Sequence, residues 1–166
     1  MRSTYDGTIE YTCRVIDYLV PTATEGNKAL ATLVDKNGNN VKTYSSDAKD
    51  ITMPMAVLIN SDTAGYGELF ACDLKDFGKA FLIGEKTAGR ADVQETFELS
   101  DGGAVVLTTS KMLPYISESF DGKGLTPDTE IILADSLREN LSTLEKERDT
   151  QLQAAISMLA GNSSEG

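Results

Sequence analysis

INSDTAGYGELFACDLKDFG, residues 59 to 78, decides how this chain folds. It follows Met55 to Ile59, a short continuous apolar run bounded by turn signals. Such a run suits a strand buried on both faces, as in a parallel sheet. After the polar turn, Tyr66 to Phe77 carries Phe70, Leu74 and Phe77 at helical spacing, and Gly78 fits a C-terminal cap. KAFLIGE then gives a second apolar strand. Strand, helix, strand is a βαβ unit, whose crossover is right-handed in nearly all sheets. Chains often mount a nucleophile at such a strand-to-helix corner. Here the corner residue is Gly65, which has no side chain.

Outward from this unit, Thr8 to Leu19 reads as a helix. Ile9, Cys13, Ile16 and Val20 recur at its spacing, and Pro21 closes it. ALATLVDKNGNNVKTYS predicts a β-hairpin turning at Asn37-Gly38. VQETFEL, SDGG and AVVLTTS predict a second hairpin, and FDGKGLTPDTEI an ordered loop with Gly and Pro punctuation. No repeat or linker divides the chain, so residues 1–134 form one core. From Asp135 the pattern changes. Leu137, Leu141, Leu144, Leu152, Ala155 and Leu159 predict one long amphipathic helix over 135–160, docked on the domain edge or on a second copy of the chain. Residues 161–166, GNSSEG, read as a disordered tail.

A chain of 166 residues is long enough for one domain with a real core. Its 26 acidic and 15 basic residues leave a formal charge of -11, which argues against nucleic acid and anionic membranes as partners. No apolar run approaches the roughly 20 residues that span a bilayer. The opening MRSTYDGT lacks the basic-then-apolar pattern of a signal peptide. The chain has no histidine, which removes every Ser-His and Cys-His catalytic scheme and most zinc sites. Cys13 and Cys72 are far apart, each in a helical pattern, and read as two buried thiols; a disulfide between them stays open. No cofactor or metal is expected.

Several segments together resemble the C-terminal processing peptidases, or tail-specific proteases, serine peptidases with a Ser-Lys dyad. Members of that family read LRNNPGG before a helix, then P-x-x-V-L-x-N and a T/S-A-S-A-x-E corner. After the next helix they carry D-x-G-R-A-x-x-x-G-E-K-T-x-G-K-G-x-V-Q, and later G-x-G-x-x-P-D. This chain has MRSTYDG, PMAVLIN, TAGYGE, DFGKAFLIGEKTAGRADVQ, LSDGGAVVLTT and GKGLTPDTEI in the same order, over residues 1 to about 133. The resemblance implies an α/β core of the ClpP/crotonase type. It also implies a chain excised from a longer parent that carries a peptide-binding PDZ domain upstream, exported or membrane-associated in a bacterium.

The resemblance carries site roles onto particular positions. Aligned on Asn60, Thr63, Ala64 and Glu68, the nucleophile position is Gly65. Aligned on Gly84-Glu85-Lys86-Thr87, Gly89, Val93 and Gln94, the lysine position is Arg90. The two lie 25 positions apart, as in the family. Gln94 keeps the family glutamine that orients the lysine. The oxyanion-binding glycine corresponds to Asp6, and Gly7 matches the glycine after it. Ala64 and Tyr66 flank the corner on the substrate side. Lys86, a lysine in the family too, reads as a structural or surface contact.

The dyad chemistry needs a hydroxyl at one position and a removable proton acceptor at the other. A buried lysine can serve as the acceptor; an arginine does not give up its proton in proteins. Glycine offers no nucleophile, and Asp6 brings the wrong sign of charge to a forming oxyanion. Thr63 and Ser61 precede the corner and should aim elsewhere. Arg90 pairing with Asp92 or Asp6 is the plainer role for that residue. The expectation is a serine peptidase frame without its dyad. The alternative is a non-enzymatic peptide-binding or scaffold module that self-associates through the C-terminal helix. In either case the partners are protein or peptide C-termini, whose carboxylate Arg90 and the free amides at the helix start would attract.

Overall fold

A computed structural model describes residues 1–20, 29–46 and 53–162 of the chain. The first helix, α1 (Ile9–Leu19), starts at Thr8, whose Oγ1 accepts from Tyr11 N–H at 3.3 Å as an N-cap. Ile9, Cys13, Ile16 and Val20 are all buried, as their spacing requires. Pro21 lies outside the described residues. Two strands follow, β1 (Ala29–Val34) and β2 (Asn40–Ser45), paired antiparallel. Their connection is longer than a two-residue turn at Asn37-Gly38. Asp35 Oδ1 accepts from the amides of Asn37 and Asn39, and only Gly38 takes positive φ. An aspartate that hydrogen-bonds its own loop competes with the tighter turn.

The βαβ unit forms as its apolar runs predict. β3 (Met55–Ile59) leads through the corner into α2 (Tyr66–Asp76), and β4 (Ala80–Gly84) returns parallel to β3, with Val57 opposite Leu82. On α2, Leu74 is fully buried, but Phe70 and Phe77 are only half-buried; Leu69, Ala71 and Cys72 lie deeper. The far side of α2 is also occupied. Asp73 Oδ1 accepts from Tyr115 N–H at 3.0 Å, and Asp76 accepts from the amides of Ile116 and Ser117. The Phe77 and Tyr115 rings stack at 4.2 Å. Cys13 and Cys72 are both buried and free, and burial pushes each thiol up to about 12.

A second hairpin, β5 (Asp92–Glu98) and β6 (Ala104–Leu113), joins β1 to complete a four-stranded sheet in the order β2-β1-β6-β5. The loop expected over FDGKGLTPDTEI contains a short strand, β7 (Thr129–Glu130), which extends the parallel sheet to β3-β4-β7. This loop docks through glycines. A Cβ on Gly89 would lie 2.7 Å from the Gly124 amide, and one on Gly124 only 2.3 Å from the Thr87 carbonyl. The GEKTAG and GKG segments therefore touch backbone to backbone, and a side chain at either glycine would force them apart.

The single long helix expected over 135–160 is not formed. The region holds α3 (Asp135–Arg138), a 3-10 turn at Lys146–Arg148, and α4 (Thr150–Asn162). The physical reason lies at Asp149, which is extended and accepts from Leu152 N–H at 3.0 Å, so that it caps a new helix. Asp149 is itself clamped by Arg2, whose guanidinium reaches both carboxylate oxygens at 3.0 and 2.6 Å. α4 then packs against β3 and β4 with Ala155 buried, opposite α2. Gly161 and Asn162, assigned above to the tail, belong to α4; residues 163–166 lie outside the described residues.

Candidate functional site

The corner between β3 and α2 is organised by a polar residue at each end. Asn60 N–H donates to Thr63 Oγ1 at 3.0 Å, and Thr63 N–H donates to the Asn60 carbonyl at 2.9 Å. Asn60 also accepts from Ser3 N–H at 2.8 Å and donates to Ser3 Oγ. Ala64 N–H donates to the Thr4 carbonyl at 2.9 Å. Residues 1–7 are thereby laid across the corner. Thr63, considered above as a nearby hydroxyl, is fully buried in this network and hydrogen-bonded to Asn60 Oδ1 and the Met1 carbonyl. Ser61 is exposed on the turn.

Gly65 sits at the apex with φ 58° and ψ -118°. A residue with a Cβ is strained there, which is the backbone state of a nucleophile mounted on a sharp strand-to-helix turn. Space is not the constraint, because an added Cβ would meet only the Arg90 and Tyr5 carbonyl oxygens, each at 3.9 Å.

Glu68 joins this corner to the segment carrying Arg90. Its side chain is fully buried. Oε2 accepts from the amides of Gly65 at 3.0 Å and Arg90 at 2.8 Å. Oε1 accepts from Gly89 N–H at 2.7 Å and from the Thr87 hydroxyl. Thr87 Oγ1 in turn accepts from Leu125 N–H at 2.7 Å. One carboxylate thus holds the backbone of positions 65 and 90 at a set spacing, the usual solution for a charge that must be buried. In the sequence Glu68 stands out only as one residue of the corner motif. A glutamate three residues after a helix-start glycine was the available signal.

Tyr5, Asp6, Ala64, Gly65, Tyr66, Arg90, Asp92 and Gln94 line one hollow of about 300 Å³. Of the expected site residues only Gly7 stands outside it, in the adjoining apolar hollow between α1 and α2. Arg90 forms no ion pair among the described residues, although Asp6 and Asp92 share its hollow. The pairing expected for it is therefore absent there. Gln94 makes no side-chain hydrogen bond among the described residues. Asp6 Oδ1 accepts from Gly7 N–H at 2.7 Å, so the carboxylate is turned back onto its own loop. Burial, with Glu10 and Asp6 adding to it, holds the Tyr66 phenol above its ordinary value. Lys86 is exposed and lies outside the hollow.

An α/β core of parallel and antiparallel sheets, with a strand-to-helix corner facing a loop held by a buried glutamate, is the frame of a peptidase class. Residues 7–131 match Peptidase family S41, and the chain belongs to that family. It is 34% identical over 119 residues to a carboxyl-terminal-processing protease of Picosynechococcus sp., covering 71% of this chain and 28% of the relative. It is 40% identical over 103 residues to chloroplastic carboxyl-terminal-processing peptidase 1 of Arabidopsis thaliana, covering 61% of this chain and 21% of the relative. The chain thus spans between a fifth and a third of these relatives' length. Among solved structures, the photosystem II D1 C-terminal processing protease superposes with a TM-score of 0.69 at 28% identity, over 79% of this chain and 33% of that one. An S41 protease from Bacteroides fragilis shares the fold with a TM-score of 0.74 at 22% identity, over 98% of this chain and 44% of that one.

Proposed function

We propose that this chain is a processing-peptidase core that no longer cuts, and that it takes the C-terminal segment of a polypeptide into the hollow between Gly65 and Arg90. The observation that carries the reading is that these two residues line one hollow, their amides held by the same Glu68 oxygen. The family reaction needs a hydroxyl at the first and a proton acceptor at the second. Glycine and arginine supply neither. Asp6 adds to this, because its carboxylate, turned back onto the Gly7 amide, brings negative charge to the position where the family binds an oxyanion.

Binding does not require the missing groups. Arg90 brings a cation to the hollow that no described carboxylate pairs with, and the Tyr66 amide at the start of α2 has no partner among the described residues. A helix start and a guanidinium together favour a carboxylate. The test is restoration. Gly65→Ser with Arg90→Lys is assayed beside the natural sequence on an unstructured protein substrate. Cleavage after restoration alone marks a peptidase disabled at its dyad. Cleavage by the natural sequence overturns the reading, and cleavage by neither favours a binding module built on the same cleft.

A further inference from the structure

The hollow at Gly65 does not end at Gln94. Tyr66 and Gln94 are shared with a second hollow of about 470 Å³, which runs beneath the antiparallel sheet past Glu10, Lys42 and Glu95. The two form one groove, and β5 walls both parts of it. β5 is the edge strand of its sheet, with its outer side unpaired among the described residues. An extended peptide can add to such an edge, presenting its side chains alternately to the two faces. On the wall of the larger hollow the Thr109 hydroxyl oxygen is buried with no hydrogen-bond partner among the described residues.

The charges of this groove are unequal. Lys42 is already paired with Glu10 at 3.3 Å. Lys111, across the ladder from Asp92, is paired with Asp121. That leaves Asp6, Asp92 and Glu95, all exposed and without ion pairs among the described residues, against the single cation Arg90. Asp92 and Glu95 lie on opposite faces of β5, so a strand added there meets acid on either side. Tyr5, 71% exposed, and Tyr66 add aromatic faces that attract cations.

We infer that the groove selects polypeptide tails carrying basic side chains immediately upstream of a terminal carboxylate, the carboxylate meeting Arg90 and the basic residues meeting Asp6, Asp92 and Glu95. The inference rests on the proposed function above for the carboxylate, and on the groove's own charges for the basic residues.

The test uses four fluorescent peptides of about ten residues, long enough to span an edge strand. Two alternate Ala with Lys and two alternate Ala with Glu; one of each pair ends in a free carboxylate and the other in an amide. The Lys peptide with a free end binds about tenfold or more tighter than its Glu counterpart at low salt, and the ratio shrinks at high salt. Asp92→Asn and Glu95→Gln each lower the ratio about threefold. Asp101→Asn, on the distant hairpin turn, leaves it unchanged, which separates the groove from the chain's overall charge. Equal or tighter binding of the Glu peptides overturns the inference, even where amidation weakens binding as the proposed function requires. A preference for Lys that is indifferent to amidation supports the assignment of basic side chains to Asp6, Asp92 and Glu95 and overturns the carboxylate contact with Arg90. Failure of all four peptides to bind overturns both.

Discussion

Gly65 imposes a conformational requirement on the corner. Its φ of 58° and ψ of -118° would strain any residue with a Cβ, while the surroundings leave room for a side chain. Gly65→Ser should therefore fold with the corner intact but lose about 1–3 kcal/mol, read from denaturant midpoints. Gly65→Ala should lose a similar amount, since the backbone and not the hydroxyl is responsible. A silent substitution would show that the corner relaxes. Asp73 is the other residue whose chemistry departs from its type. It is fully buried, its Oδ2 has no partner among the described residues, and burial holds its carboxyl well above 3.8. The nearby Asp76 pushes the same way, against the Tyr115 amide. The unfolded chain releases this proton near 3.8 and the native chain keeps it to higher pH. Stability contributed by Asp73 thus falls as pH rises through that window. Asp73→Asn should flatten the dependence, seen by comparing urea midpoints at pH about 5 and about 8; an unchanged slope would locate the titration elsewhere.

Among the elements, β3, α2 and β4 were legible because their signals agree. Continuous apolar runs give buried strands, Gly78 stops the helix, and the intervening length fits a crossover. The C-terminal region misled for an equally physical reason. Leucines at 137, 141 and 144 continue in helical step with Leu152 and Leu159, but nothing apolar lies between Leu144 and Leu152. That gap is where the chain turns and where Asp149 starts a new helix. At the corner, positions 65, 66, 90 and 94, picked out by the family resemblance, line one hollow. The residues that hold them there were not picked out in this way, since a buried acceptor such as Glu68 is recognised only by the donors that converge on it. Glu68→Gln replaces one acceptor oxygen with a donor aimed at amides. It should destabilise the fold by about 2–3 kcal/mol and speed hydrogen exchange at Gly89 and Arg90. Wild-type protection at both amides in the variant would show that the loop is held by other means.

Across the whole molecule, the two described ends of the chain meet. Arg2 reaches Asp149 through both nitrogens and donates to Gln151, whose own amide donates to the Ile131 carbonyl at 2.7 Å. Burial raises the Asp149 carboxyl, but the Arg2 hydrogen bonds and the Leu152 amide outweigh it, so the group ends below 3.8. Its stabilising contribution is complete above that value and is lost as pH falls through the lowered one. Arg2→Ala should cost about 2–4 kcal/mol near neutral pH, with the difference from wild type vanishing in acid. A difference that persists in acid would assign the loss to packing rather than charge.

The same clamp bears on the order in which the molecule assembles. Positions 2 and 149 are nearly a full chain length apart, and closing so large a loop is entropically slow. The segment carrying Asp6 and Gly7 is fastened over the corner partly through this distant contact. The sheets and α2 can form from nearer neighbours, whereas the segment at the rim of the groove gains this last tie only when Arg2 and Asp149 meet. Undocking of α4 would then free Arg2, while the bonds of Ser3 and Thr4 to Asn60 and Ala64 keep the segment on the corner.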